Sequence, residues 1–186
     1  MAVAGLRYAA HTLSFDESSP LQRRWALAAA CGFAEDIQAR AARNSALRVD
    51  WIPKTKLPGD GRLGLTICPG RSDRGRDLAA DLDAIAQMGT AHVVALLTSA
   101  EMEWAGVADL PGEVDRRGMG FVHLPIPDQG VPTATEVTAL SARIRGWLAA
   151  DEDVVVHCMG GLGRSGLVSA SVLVDLGFAA EDAIQE

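Results

Sequence analysis

Between Val154 and Val174 the chain reads VVVHCMGGLGRSGLVSASVLV. An apolar strand pattern ends on His157 and Cys158, five residues separate that cysteine from Arg164, and Ser165 follows. A loop of Met159, Gly160, Gly161, Leu162 and Gly163 is long enough to wrap a phosphate and aim successive backbone N–H groups at its oxygens. Its three glycines permit the positive φ and close approach that such a nest needs. A helix is predicted from about Ser165 to Leu176, and its N-terminus adds the positive end of a dipole. Arg164, in the first turn, can give a two-pronged hydrogen bond to two phosphate oxygens.

The same field acts on the sulfur. A cysteine facing several N–H dipoles and an arginine favours the thiolate, with pKa values of roughly 3.5–7.5 at such sites. Ser165 is placed to donate a hydrogen bond to that sulfur and so help it leave in a second step. His157 points to the opposite strand face from Cys158 and is expected to brace the loop rather than carry a proton. Attack on phosphorus also needs an acid for the departing oxygen. LPIPDQG (Leu124–Gly130) follows a strand pattern in a proline-stiffened loop, thirty residues before Cys158. If that strand neighbours the last one, Asp128 emerges beside the cysteine, first as general acid and then as the base that activates water.

The elements that must position these residues alternate along the chain. RLGLTI (Arg62–Ile67) reads as a strand, RDLAADLDAIAQMG (Arg76–Gly89) as an amphipathic helix, and HVVALL (His92–Leu97) as a buried strand. Thr98 with Glu101, and Thr133 with Glu136, have capping-box spacing. A further short helix is expected near Pro111–Arg117, a strand over Gly120–Ile126, and the last strand at DVVVHC. This order predicts an α/β fold: a central, mostly parallel, twisted sheet with helices on both faces. The helix after Cys158 is apolar nearly all round, which predicts burial. Ser19-Pro20 and Gln22 open a separate N-terminal helix running to about Arg43. WIPKTKLPGDG (Trp51–Gly61) reads as a loop or linker. We therefore divide the chain into an appendage, residues 1–48, and a main domain, residues 49–186.

HCMGGLGRS fits the His-Cys-x5-Arg-Ser/Thr signature of cysteine-dependent protein phosphatases. With LGLTICPG (Leu63–Gly70) and PIPDQGVP (Pro125–Pro132), it most resembles the kinase-associated dual-specificity phosphatase group. The resemblance covers about Val49 to Glu186. It implies the cysteine-phosphatase fold, a phosphocysteine intermediate at Cys158, phosphate binding by the Met159–Gly163 amides and Arg164, and acid/base work by Asp128. It implies no metal and no cofactor. The family continues with more helix where this chain ends in EDAIQE, so a shortened C-terminus is expected. Residues 1–48 have no counterpart in the resemblance.

Composition narrows the rest. The chain has 186 residues, 17 Lys+Arg against 24 Asp+Glu and a net charge of −7. Nucleic acid is an unsuitable partner for that balance, so anion binding must be local. Cys31, Cys68 and Cys158 are too few and too scattered for a disulfide framework, which points to a reducing, cytoplasmic setting. No apolar run is long enough to span a membrane, and RRWALAAACGFAED (Arg23–Asp36) reads as helix rather than export signal. The expected partner is a phosphorylated protein; oligomeric state is not legible. The loop's variable positions carry no lysine, unlike phosphoinositide phosphatases of the superfamily. GRSDRGRD (Gly70–Asp77) reads as a solvated turn, with phosphopeptide steering as the sharper option. Asp151, Glu152 and Asp153 read as an exposed turn, and His11, His92 and His123 as structural. Trp51 reads as core or seam rather than a substrate platform. Cys68 reads as an ordinary buried thiol, with a reversible disulfide to an oxidised Cys158 as the alternative. Two other function classes fit less well: a phosphoprotein reader that has lost turnover, and a rhodanese-like sulfurtransferase.

Overall fold

The structure is a computed structural model that describes residues 46–180 and residue 183. The N-terminal helix expected before Arg43 lies outside the described residues. The first sheet segment is β1 (Asp50–Trp51), followed by β2 (Leu63–Thr66), α1 (Leu78–Gln87), β3 (Thr90–Ala95), α2 (Ser99–Trp104), α3 (Leu110–Asp115), β4 (Gly120–His123), α4 (Ala134–Ala149), β5 (Asp153–His157) and α5 (Gly163–Asp175). The sheet order is β1-β2-β5-β3-β4. β1 runs antiparallel to β2, and the other pairings are parallel. Thus β5, which leads to Cys158, lies in the centre between β2 and β3.

Strand alternation divides the core into two layers. Val94, Val154 and Val156 face a cluster with Leu140, Ile144 and Leu148 of α4 and Val168 and Val172 of α5. Val93, Ala95 and Val155 face the other side, against Leu82 and Ile85 of α1, Met102 of α2, and Leu110 and Val114 of α3. Each buried Val, Leu, Ile or Met side chain among these contributes about 1.5–3 kcal/mol. Both predicted capping boxes form: Thr98 caps α2 with Glu101, and Thr133 caps α4 with Glu136. Leu47 is also buried, and the Thr66 hydroxyl donates to the Arg48 carbonyl at 2.7 Å. The packed unit therefore reaches back at least to residue 47.

Several expectations need correction. Trp51 belongs with Asp50 to an edge strand, not to the linker, because it packs across Gly64 and beneath the Arg62 guanidinium at 4.2 Å. Helix α5 is not buried all round. It packs on the sheet and on α4, while Leu167 and Val174 face outward. The acidic turn before β5 is tied down: Asp151 accepts from the Asp60 amide, Glu152 meets His92, and Asp153 holds Arg62. β4 pairs with β3 rather than with the last strand. It also ends at His123, three residues early, because Pro125 and Pro127 have no N–H to continue a ladder. Leu124 and Ile126 still donate to the carbonyls of Ala95 and Leu96, at 3.0 Å each. That pairing carries the following loop across the end of β3 toward the centre of the sheet.

Candidate active site

Cys158 stands at the C-terminal end of central strand β5, and the loop Met159–Leu162 turns directly into α5. Gly161 decides the shape of this loop. It has φ 74°, and a Cβ there would lie 2.8 Å from the carbonyl atoms of Thr66. Glycine is thus required twice at one position, by backbone conformation and by contact with β2. Gly160 and Gly163 differ from expectation. Neither has positive φ, and a Cβ at either would meet nothing within 4 Å. Open space lies over these two positions. Leu162, 83 % exposed, projects at the rim of the loop.

Cys158 is 3 % exposed, and its sulfur lies 3.4 Å from the Ser165 hydroxyl. Burial opposes its ionisation. The Ser165 hydroxyl and the amides of Ser165, Gly161 and Gly160 outweigh that cost and hold the Cys158 thiol below its ordinary value. Cys68 is the contrast: equally buried, without such donors, its thiol is pushed up to about 12.

Arg164 is buried at the loop's far end, and Glu101 fixes it. Nη1 donates to Glu101 at 2.9 Å and to the Ile126 carbonyl at 2.7 Å, and Nη2 meets the other Glu101 oxygen at 2.8 Å. A guanidinium has five N–H groups. These contacts occupy three and leave Nε–H and one Nη2–H, which share an edge and form a fork for two oxygens. Burial works against the Glu101 charge, but Arg164 and the Thr98 amide and hydroxyl hold its carboxyl below the usual range. From sequence alone Glu101 reads only as a helix cap. It does both jobs, because the carboxylate that closes the α2 capping box also faces Arg164.

Asp128 comes to the same place from the loop after β4. Its Oδ1 is 3.5 Å from Arg164 Nη2, and its side chain is largely exposed. A turn closed by the Gly130 amide and the Pro127 carbonyl, with Gln129 at φ 58°, presents it. The expected route was adjacency of strands; the actual one crosses over β3. His157 is fully buried on the other face of β5, and burial pushes its imidazole down to about 4. Neither ring nitrogen meets hydrogen-bond geometry with a described atom, although the Cys158 backbone is close enough to favour the protonated ring.

The turn Gly70–Asp77 is solvated over much of its length but not at two of its three arginines. Arg71 and Arg76 are nearly buried, paired with Asp73 and Asp81. Steering by these two charges is excluded by that burial. Among the described residues no group of three or more His, Cys, Asp or Glu could hold a metal, and no helix is long and apolar enough to cross a membrane.

The family model described as "Swiss Army Knife protein, DSP-PTPase phosphatase domain" matches residues 71–186. The chain belongs to this DSP-PTPase family. Cyclin-dependent kinase inhibitor 3 of Rattus norvegicus is 29% identical over 132 residues, covering 70% of this chain and 62% of that protein. The Homo sapiens protein of the same name is 26% identical over the same span. This DSP-PTPase chain thus covers about 62% of the length of those relatives. In fold it is similar to a crystal structure of kinase-associated phosphatase whose catalytic-site cysteine is replaced by serine. That likeness has a TM-score of 0.72 and 26% identity, covering 76% of this chain and 82% of the other. It is also similar to Tk-PTP in its active form, with a TM-score of 0.55 and 28% identity, covering 68% and 77% of the two chains.

Proposed function

We propose that the protein is a phosphatase that hydrolyses phosphotyrosine, phosphoserine or phosphothreonine in protein partners through a phosphocysteine intermediate. The observation that carries this reading is a single geometry. A buried thiol with a lowered pKa sits within a ring of amides, and a fixed arginine fork stands at the other end of the same loop.

The chemistry follows from the positions. The Met159–Gly163 amides and the free edge of Arg164 hold three phosphate oxygens. Cys158 Sγ attacks phosphorus, the S–P bond forms, and the bond to the leaving oxygen breaks. Asp128, in its acid form, gives that oxygen its proton. Water then attacks the phosphocysteine, Asp128 takes a proton from it, and the sulfur leaves as a thiolate stabilised by Ser165. Preorganised dipoles of this kind act strongly because they need not reorganise during reaction.

The absence of lysine from the loop supports phosphoprotein over a polyanionic lipid headgroup. The two buried free cysteines among the described residues suit a reducing compartment, and we place the protein in the cytoplasm. We also propose that residues 1–48 form an appendage to the catalytic domain, residues 49–186.

The test is phosphate release from an aryl phosphate and from phosphopeptides by wild type, Cys158→Ser and Asp128→Ala. Turnover by wild type alone supports the proposal. An inert wild type that binds phosphopeptide as tightly as Cys158→Ser would instead identify a phosphoprotein reader, and sulfur transfer from thiosulfate a rhodanese-like enzyme.

A further inference from the structure

We propose that Arg71 is a positioning residue for the Cys158 nucleophile, acting through the carbonyl of Met159. This rests on the thiolate reading above and extends it to a residue outside the loop.

Arg71 is 8 % exposed. Asp73 grips two corners of its guanidinium, at Nε (2.8 Å) and Nη2 (2.5 Å). The third corner, Nη1, donates to the Met159 carbonyl oxygen at 2.8 Å, and the Cys68 amide donates to the same oxygen at 3.3 Å. No cis peptide occurs among the described residues. In a planar trans peptide the C=O and the next N–H point in opposite directions. Drawing the Met159 oxygen outward to Arg71 therefore turns the Gly160 N–H inward. That N–H is one of the donors to the Cys158 sulfur.

The anchor itself is stiff. The Gly70 amide donates to Asp81 at 2.8 Å, Asp81 forms a buried pair with Arg76, and the Ser72 amide donates to the Ala105 carbonyl at 2.8 Å. A buried ion pair contributes little stability relative to apolar packing of the same volume. A charge held here, with its free corner aimed at one loop carbonyl, is better explained by what it does to that peptide. Arg71 thus acts on the front of the loop as Glu101 acts, through Arg164, on its end.

The experiment follows alkylation of Cys158 against pH, read on its own peptide by mass spectrometry, together with kcat and KM on an aryl phosphate. Wild type, Arg71→Met, Arg71→Lys and Arg74→Met are compared. The charged and titratable groups around the site are Arg164 from α5, Glu101 from α2, Asp128 from the loop after β4, His157 from β5 and Cys68 after β2, and all are retained. Arg71→Met is expected to raise the midpoint by about one pH unit, the size of one hydrogen bond to the ionised form, and to lower kcat about tenfold with little change in KM. Arg71→Lys, which can still donate to the carbonyl, is expected to recover part of both. Arg74, whose contact is to Asp73 at 3.8 Å, is expected to leave the midpoint unchanged when replaced. A purely structural arginine would lower the melting temperature without moving the midpoint, and that result overturns the proposal. If Arg71→Met does not fold, Asp73→Asn decides. It frees the same guanidinium, and a rise supports the proposal while an unmoved midpoint overturns it. A wild-type midpoint near the ordinary thiol value of about 8.5 would overturn the thiolate reading along with it. A lowered wild-type midpoint with unmoved variants overturns the role of Arg71 alone.

Discussion

Cys158 and Cys68 are both buried, yet their thiols shift in opposite directions. The difference is the set of donors aimed at one sulfur and not the other. Asp128 is the residue best placed to protonate a leaving oxygen, so Asp128→Asn is expected to lower kcat about 10²- to 10⁴-fold on an alkyl phosphate. The loss should be smaller on an aryl phosphate, whose leaving group needs less help; steady-state kinetics on the two substrates checks this. Glu101→Gln is expected to lower kcat/KM by about ten- to a hundredfold, the value of a hydrogen bond to a charged group, because Arg164 loses its fixed orientation. His157 gives a stability prediction. Its folded pKa, about 4, lies below the unfolded value, so the unfolded chain binds the extra proton as pH falls. Its contribution is full above about pH 6.5 and is lost toward pH 4, in total about 3 kcal/mol. Denaturant melts of wild type and His157→Gln across that window should differ in slope, the variant being flatter.

At the scale of elements, two helices and two loops carry the site, α2 and α5 with the Met159–Leu162 loop and the Asp128 loop after β4. The α2 cap shares its carboxylate with the proposed active site, since Thr98 holds the Glu101 carboxylate that holds Arg164. The α4 cap is separate from that site, since Thr133 and Glu136 stand on the exposed start of that helix. Thr133→Ala is expected to cost about 1 kcal/mol of stability and leave kcat unchanged. Thr98→Ala should cost a similar amount and lower kcat as well. Thermal melts and kinetics on the pair separate the two roles. Gly161→Ala combines a left-handed backbone with a 2.8 Å approach to Thr66. It should displace the loop from β2 and abolish turnover in a chain that still melts cooperatively.

Across the whole molecule, what was legible in the sequence followed locality. Cys158, Arg164 and Ser165 lie within eight consecutive residues, so their spacing alone places them together. The capping boxes, most of the strands and the two-faced sheet are equally local, being patterns with spacings of two to four residues. Long-range partners are not. Glu101 lies 63 residues from Arg164, and Arg71 lies 88 from Met159. Charged residues in polar stretches read as solvent-facing until topology supplies the partner that buries them. Edge strand β1 was missed because two residues carry no periodicity, and the adjacency proposed for Asp128 failed because strand order is a property of the whole sheet. The molecule carries no global positive field, so kcat/KM on a phosphopeptide should change less than about threefold across moderate salt. The most direct test of the central claim is rapid acid quench of the enzyme during turnover, with the Cys158 peptide weighed. A phosphocysteine route predicts one PO3 group on Cys158 within the first turnover, accumulating in Asp128→Asn on an aryl phosphate and absent in Cys158→Ser. Phosphate release with an unmodified Cys158, or turnover surviving in Cys158→Ser, would contradict it.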